Sequence, residues 1–197
     1  MKINLGCGKW PLKGYVNIDN IKGDGVDIVA DIMELPFDDE SVEEIIGIDV
    51  LEHIQDTLGL MQELYRVSKP NAICKFKVPY GASDDAWENP THVRPYFVGS
   101  FMPFSQPYWW RDCNNYTADW QAKEIRLFVN GKFESDDWLR DIMLYRNIVL
   151  SMEIELVCIK PARKTKKELQ ENPKINVVPM KTMLINIQTD ITEIKNK

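Results

Sequence analysis

The sequence contains no run of 18 apolar residues, so it predicts no transmembrane helix. Its start, Met1 to Gly6, carries a charge and a glycine where a secretory signal peptide has an apolar run. Only two histidines and four cysteines occur in 197 residues, and the cysteines form no C-x-x-C pair. These absences argue against a metal site such as zinc and against a disulfide framework. They favour a reducing, cytoplasmic location.

Charge of both signs is present, but it is unevenly placed. The chain is 44% hydrophobic and 27% charged, which is typical of a globular domain, and its formal net charge is −6. Residues 160–197 hold nine Lys and Arg against four Asp and Glu, whereas the preceding residues hold 15 against 26. The acidic body argues against a nucleic-acid groove, because phosphate contacts need Lys and Arg. The basic tail is either a solvated extension or a contact for an anionic partner.

Short apolar runs alternate with helical or turn patterns along the chain. This alternation predicts an α/β fold with a mostly parallel central sheet whose two faces are covered. The first two strands are separated by so few residues that their crossover must be abbreviated. A Ser-x-x-Glu pattern predicts a helical turn at 41–44, and apolar spacing predicts longer helices at 51–68 and 136–150. The predicted strands are 2–5, 15–19, 26–30, 45–48, 72–78, 124–129 and 153–159.

An aromatic-rich insertion follows the fifth predicted strand. Residues 80–120 contain 11 of the 20 aromatic residues of the chain. Such side chains either line a pocket for a substrate or form the core of the inserted segment. The aromatic residues concerned include Trp87, Tyr96, Phe97, Phe101, Phe104, Tyr108, Trp109 and Trp110.

We expect one domain over residues 1–161 and a basic C-terminal extension over residues 162–197. Residues 164–171 predict a short charged helix. The apolar stripe beyond it fits either a heptad helix or a strand, and its members are Met180, Leu184, Ile187, Ile191 and Ile194. Because this stripe is too apolar to face water, we expect the tail to support homo-oligomer assembly or to cover a bound ligand.

Glycines and carboxylates follow the first three predicted strands. Gly6 and Gly8 come directly after the first, Asp19 ends the second, and Asp31 follows the third. A glycine pair lets the backbone turn sharply and approach a ligand, and a carboxylate at the second strand can accept both hydroxyls of a ribose. Because ligands of open α/β sheets bind at the carboxyl ends of the strands, the pattern predicts a nucleotide-type site there.

The details of the glycine turn favour a nucleoside without phosphates. Pro11 stands where the dinucleotide fingerprint has its third glycine, and no G-K-[ST] follows as in a P-loop. An enzyme using NAD or a sugar nucleotide is therefore the weaker alternative.

Five motifs in order give the sequence its resemblance to a known family. They are Asn4-Leu5-Gly6-Cys7-Gly8, residues 14–19, residues 30–37, Leu51-Glu52-His53-Ile54 and residues 63–70. In this order they resemble the class I S-adenosylmethionine-dependent methyltransferases, most closely the small type 11 group. The resemblance is close over residues 2–80 and holds in outline over residues 81–161. It implies a Rossmann-like methyltransferase fold and S-adenosyl-L-methionine as the cofactor.

The resemblance also implies a role for individual residues. The methionine part of the cofactor would face Leu5, Gly6, Cys7 and Gly8, and Asp19 would bind the ribose. The adenine edge would meet Asp31 and Ile32, and the amino-acid end and sulfonium would lie near Ile48 and Asp49. The first predicted strand begins at residue 2, so we expect the leading helix that often covers the cofactor to be absent and the tail or another subunit to replace it.

The expected activity is methyl transfer to a hydroxyl or amine of a small molecule or glycan. A general base helps such a transfer, and only His53 and His92 offer an imidazole. Two other interpretations stay open: His92 is a turn residue bonded to the backbone, and Glu52 with His53 merely charges the start of a helix. The alternative function is a catalytically silent S-adenosylmethionine-binding or scaffold subunit.

Overall fold

One eight-stranded sheet organises the chain in a computed structural model that describes residues 1–110, 115–131 and 135–180. The strands are β1 (Lys2–Leu5), β2 (Val16–Asp19), β3 (Ile28–Val29), β4 (Val42–Ile48), β5 (Ser68–Pro79), β6 (Trp120–Val129), β7 (Val149–Cys158) and β8 (Lys174–Pro179). The α-helices are α1 (Thr57–Val67), α2 (Asp85–Glu88) and α3 (Trp138–Leu144). Short 3-10 helices occur at Leu51–His53, Val98–Phe104, Gln106–Trp109 and Lys167–Leu169.

The strand order is β3-β2-β1-β4-β5-β7-β6-β8. The five strands β3, β2, β1, β4 and β5 are parallel, and β7 lies antiparallel between β5 and β6. This arrangement confirms the α/β fold with a mostly parallel central sheet, although the sheet is mixed. The aromatic-rich segment follows β5, as predicted.

Several predicted helix boundaries are wrong. The helix predicted at 136–150 is reduced to α3, and residues 149 and 150 already belong to β7. The turn predicted at 41–44 is instead the start of β4, because Val42 pairs with Ser68 at the beginning of β5. The helix predicted from residue 51 begins only at Thr57, where the Asp56 carboxylate accepts a 2.8 Å hydrogen bond from the Gly59 N–H and caps the first turn. At its other end α1 stops at Val67, and Asn71, with a φ of +64°, lies within β5 where the pairing with β4 shifts register.

The first three crossovers contain no helix. The fully described links 6–15, 20–27 and 30–41 consist of turns, bends and irregular chain. The abbreviated first crossover is therefore confirmed, and the same feature extends to the next two links. Exposed apolar side chains remain along this part of the surface, with Trp10 84% and Ile21 72% exposed.

A single core lies on one face of the sheet. Register places Leu5, Gly47, Phe76, Ile154 and Ile125 side by side across five strands, and the four apolar side chains among them are buried. The apolar face of α1 packs here together with aromatic residues of the insertion. The buried members from these two segments include Leu60, Met61, Leu64, Tyr96, Phe101 and Phe104.

The opposite face of the sheet carries charged and partly exposed side chains. The Lys75 ammonium lies 3.6 Å from the Glu155 carboxylate, and the Arg126 guanidinium lies 3.3 Å from the Glu153 carboxylate of the neighbouring strand. Ile48 on the same face is 45% exposed. The expectation that both faces are covered is therefore wrong for the described part of the chain, since the short crossovers place no helix there.

The predicted extension adds a strand to the sheet. β8 pairs in parallel with β6, with Ile175 opposite Ile125, so the expectation that β7 is the last strand is wrong. The short helix predicted at 164–171 is present only as the 3-10 turn Lys167–Leu169. The apolar stripe beyond Met180 lies outside the described residues, and the domain boundary at 161 stays a prediction. None of the helices in the described ranges is long and apolar enough to cross a membrane.

A buried ion pair fixes the start of this extension. The Asp119 carboxylate is fully buried and accepts hydrogen bonds of 2.8 Å from both Nε and Nη2 of Arg163 and one of 2.9 Å from the Arg163 backbone N–H. Arg163 also donates to Gln121 and Ser105. The pair therefore connects the extension to β6 and to the insertion.

We predict that Arg163→Met lowers the free energy of unfolding by about 3–5 kcal/mol, because it leaves the buried Asp119 charge unpaired. Arg126→Met is the matched control. Its ion pairs are exposed, so we expect a loss of less than about 1 kcal/mol. Urea denaturation followed by circular dichroism measures both. Equal losses in the two variants would contradict the importance assigned to the buried pair.

Candidate functional site

The direction in which the sheet is wound reverses at β1. This strand pairs with β2 on one side and with β4 on the other. The loops that leave the carboxyl ends of β1 and β4 therefore diverge and leave a crevice between them, which is where open α/β sheets bind ligands. The glycine turn follows β1 at this edge, and Asp49 and Val50 follow β4.

Both glycines of the turn adopt backbone conformations that other residues rarely take. The φ angle is +58° at Gly6 and +49° at Gly8. A Cβ at Gly6 would lie 2.6 Å from Cγ2 of Val50, whereas a Cβ at Gly8 would meet nothing within 4 Å among the described residues. Gly6 is thus required by packing as well as by the turn, and the backbone at Gly8 is open to an approaching ligand.

Leu5 and Cys7 point into the protein on either side of Gly6. Leu5 is fully buried, Cys7 is 4% exposed, and the Cys7 N–H donates a 3.0 Å hydrogen bond to the Ile18 carbonyl. Burial raises the pKa of the Cys7 thiol, and the nearby Asp19 carboxylate raises it further. This is the environment of a packed side chain rather than of a reactive nucleophile.

Asp19 connects the ends of β1 and β2. Its Oδ2 accepts a 2.8 Å hydrogen bond from the Gly8 N–H, and its Oδ1 accepts one of 2.9 Å from the Ile21 N–H. The structure thus brings Asp19 and the glycine turn together, and Asp19 also shapes its own turn. Each carboxylate oxygen can accept a second hydrogen bond, so this role is compatible with binding a hydroxyl.

Asp31 and Ile32 lie one strand further out, beyond the end of β3. The Asp31 side chain is exposed, and its Oδ1 accepts a 2.8 Å hydrogen bond from the Met33 N–H. Ile32 is partly buried against the core. Because β3 is only two residues long and pairs with β2, these residues are on the same rim as Asp19.

Ile48 ends β4 on the other side of the crevice, and Asp49 follows it. Asp49 has a φ of +52°, and its N–H donates a 2.9 Å hydrogen bond to the Lys77 carbonyl of β5. Desolvation raises the pKa of the Asp49 carboxyl, while the positive charge of Lys77 opposes that shift. The edge of β4 therefore presents a partly exposed isoleucine beside a carboxylate.

The two predicted catalytic histidines meet next to this edge. His53 ends the 3-10 helix that follows β4, and His92 lies in the insertion after β5, yet their rings are 4.8 Å apart in an edge-to-face contact. The buried Tyr96 hydroxyl donates a 3.2 Å hydrogen bond to the Leu51 carbonyl, and the Val93 N–H donates one of 2.8 Å to the Glu52 carbonyl. The insertion is thereby held against the 3-10 helix.

Each histidine has its Nδ1 atom next to a backbone carbonyl. The Nδ1 of His53 lies 3.1 Å from the Thr91 carbonyl oxygen and 3.0 Å from Thr91 Oγ1. The Nδ1 of His92 lies 3.4 Å from the Ala86 carbonyl oxygen. The backbone contact that the sequence left open for His92 is thus present. When each Nδ1–H donates to its carbonyl, the Nε2 atom is unprotonated and its lone pair can accept a proton or a hydrogen bond.

Sequence reasoning missed Glu52 as a site residue. Glu52 is 2% exposed, and neither carboxylate oxygen has a hydrogen-bond partner among the described residues. Burial raises the pKa of Glu52 to about 7, and the Asp49 and Asp85 carboxylates contribute in the same direction. The signal was the Glu-His pair after β4. The interpretation that this pair charges the start of the helix is wrong, because Asp56 caps α1 instead.

The aromatic residues of the insertion divide between core and surface. Tyr96, Phe101 and Phe104 are buried and pack ring to ring at 5.6–5.9 Å. Trp87 is 60% exposed and Phe97 is 42% exposed. The core interpretation is therefore confirmed for the buried rings, whereas a pocket lined by the exposed aromatic residues stays a prediction.

One segment of the chain matches a known protein family. Residues 15–76 match the type 11 family described as "Methyltransferase domain". A search of curated protein sequences finds no match.

Solved structures share the fold over most of the chain at low sequence identity. One is the putative methyltransferase in complex with the Trm112 methyltransferase activator of Haloferax volcanii, with 17% identity, coverage of 80% of this chain and 81% of that chain, and a TM-score of 0.51. A second is a possible histamine N-methyltransferase from Thermotoga maritima, with 12% identity, coverage of 79% and 80%, and a TM-score of 0.54. A third is the [4+2]-cyclase SpnF, with 12% identity, coverage of 80% and 73%, and a TM-score of 0.53.

The matched segment contains β2, β3, β4, α1 and most of β5, which include the rim formed by Asp19, Asp31 and Asp49. The structural neighbours extend the likeness to about four fifths of the chain. The chain therefore has the fold of S-adenosylmethionine-dependent methyltransferases, and its residues 15–76 match the type 11 methyltransferase domain, which indicates S-adenosylmethionine as the cofactor.

Proposed function

We propose that the protein transfers a methyl group from S-adenosylmethionine to a hydroxyl or amine of a small molecule or sugar. The observation that carries the proposal is the glycine turn at the reversal of the sheet, where the Gly8 N–H is bonded to Asp19. A turn open at Gly8, with a carboxylate beside it, fits a nucleoside that carries a short charged chain in place of phosphates.

Different residues around the crevice bind different parts of the cofactor. The backbone from Leu5 to Gly8 faces the methionine part, and Asp19 accepts the two ribose hydroxyls with the acceptor positions that its turn leaves available. On the outer side of the rim Asp31 and Ile32 hold the adenine, and Ile48 and Asp49 lie beside the amino-acid end and the sulfonium. These assignments are the ones that the family resemblance implies, and the order of the strand ends across the sheet supports them.

The cofactor supplies a methyl group already activated on a positively charged sulfur, so the chain mainly has to align the acceptor and exclude water. The acceptor then enters between the end of β4 and the insertion. The Nε2 atom of His92 or His53 takes the proton that the acceptor hydroxyl or amine loses. Their Nδ1 contacts with the Ala86 and Thr91 carbonyls hold the rings in that orientation.

An acceptor screen with methyl-labelled S-adenosylmethionine tests the proposal. The full chain is incubated with small hydroxylated molecules, amines, glycans and proteins, and binding of S-adenosylhomocysteine is measured in parallel by calorimetry. Label in a small-molecule or glycan acceptor is the expected result. Binding without any labelled product favours the silent or scaffold subunit. Absence of binding contradicts both functions.

We predict that Asp19→Asn weakens S-adenosylhomocysteine binding by about 1–3 kcal/mol, because the amide loses charge and accepts through one oxygen only. Asp24→Asn changes an exposed carboxyl in the following loop and should leave the affinity unchanged. Isothermal titration calorimetry compares the variants. An unchanged affinity in Asp19→Asn removes Asp19 from the site.

We predict that Gly6→Ala destabilises the fold more than Gly8→Ala does. Both replacements place alanine at a positive φ, at about 1–2 kcal/mol each, but only the Cβ at residue 6 collides with Val50. In a Val50→Ala background, Gly6→Ala should therefore lower the free energy of unfolding by less than it does in the unaltered protein. Chemical denaturation of the four proteins in this cycle and of Gly8→Ala measures the difference. Equal costs for the two glycine variants would contradict the packing role given to Gly6.

A further inference from the structure

The side chains of Glu52, His53 and His92 converge beside the carboxyl end of β4, and one donor atom from each lies within 4.8 Å of the others. We propose that these three residues bind one divalent transition-metal ion of the zinc class. The composition argued against a metal site on the small number of histidines and the cysteine spacing. The structure brings both histidines to the same carboxylate.

The Glu52 carboxylate is the buried group of the cluster that lacks a hydrogen-bond partner among the described residues. It is 2% exposed, and among the described residues no donor reaches either oxygen. A buried carboxylate without a hydrogen bond is costly, and native structures almost always satisfy such groups. Asp49 and Asp85 add further negative charge around it. A cation at this point would neutralise the excess negative charge and would give the Glu52 carboxylate oxygens a partner.

The two imidazoles are oriented as metal ligands are. A ligating histidine usually donates its second ring N–H to a carbonyl or carboxylate, which fixes the tautomer and aims the other nitrogen. The Nδ1 atoms of His53 and His92 each lie next to a backbone carbonyl. Their Nε2 atoms are therefore the nitrogens available to an ion.

The donor set and its spacing favour a zinc-class ion over magnesium or calcium. Two imidazole nitrogens and one carboxylate suit zinc and its neighbours, whereas magnesium and calcium prefer oxygen ligands. Bonds of about 2.1 Å to a tetrahedral ion place two donors roughly 3.4 Å apart. The donor atoms now lie within 4.8 Å of one another, so this spacing has to contract by about 1.4 Å when an ion binds. Three protein ligands also leave the fourth position open.

The open position would face the acceptor. A hydroxyl bound there has a lowered pKa, so its O–H bond breaks with the proton passing to water and its oxygen becomes the nucleophile. In the ion-bound state the imidazoles hold the metal instead of accepting that proton. This consequence rests on the proposed function, whereas binding of the ion does not.

Calorimetric titration of the chelator-treated full chain with zinc chloride tests the site. We expect one equivalent to bind, and we expect Glu52→Gln, His53→Gln and His92→Gln each to weaken binding at least roughly 10- to 100-fold. Glu34→Gln alters an exposed acid elsewhere and serves as the matched control, with unchanged binding. Circular dichroism verifies that each variant is folded. Magnesium chloride should give no comparable binding.

Cobalt(II) absorption distinguishes this site from the four cysteines. Nitrogen and oxygen ligation gives visible bands without the strong near-ultraviolet charge-transfer band of a cobalt–thiolate bond, and those bands should vanish in His92→Gln. Thiolate bands, equal zinc affinity in all variants, or equal affinity for magnesium would overturn the proposal. S-adenosylhomocysteine binding is measured on the same metal-free protein, so loss of the metal site and loss of the proposed function are separate results.

Discussion

Hydrogen bonding of β1 to β2 on one side and to β4 on the other is the constraint on which the rest of the site depends. It makes the chain leave β1 through the Gly6–Gly8 turn in one direction and leave β4 through Asp49 in the other. The crevice between these two departures is a consequence of backbone pairing. Side chains refine it: Val50 packs under Gly6, and the Asp19 carboxylate holds the Gly8 N–H.

Short crossovers determine where the apolar surface is buried. Because the links between β1, β2, β3 and β4 contain no helix in the described chain, α1 and the aromatic insertion supply the covering layer on the core face. The same insertion carries His92 to His53. The insertion therefore contributes Tyr96 to the core and His92 to the candidate acceptor site. The stability of the insertion is thus coupled to the geometry of the site.

The features predicted correctly from the sequence are those that local chemistry determines. β1 ends where predicted, because apolar residues stop at a glycine that must take a positive φ. The start of β4 was missed, because Ser41-x-x-Glu44 resembles a capping box and only pairing with β5 turns it into a strand. β8 was missed for a similar reason, since its short sequence, in which no residue is fully buried, becomes a strand by pairing with the edge of β6.

The convergence of Glu52 with the two histidines could not be predicted from the sequence. His92 lies far along the chain from His53, and their contact depends on the path of the insertion, which has no regular periodicity. The burial of Glu52 depends in turn on that packing. Local patterns thus predicted that the glycine turn, Asp19 and Asp31 lie at one edge of the sheet, where each ends or soon follows a strand, but did not predict the contact between the distant segments that carry His53 and His92.

Mapping S-adenosylhomocysteine binding onto the backbone amides by nuclear magnetic resonance shows whether the cofactor occupies the crevice at β1. We expect the largest chemical-shift changes at residues 6–8, at Asp19 and its neighbours, and at Ile48 and Asp49, on both sides of the reversal at β1. Changes confined to the charged face around Lys75 and Arg126, with none at the glycine turn, would contradict this expectation.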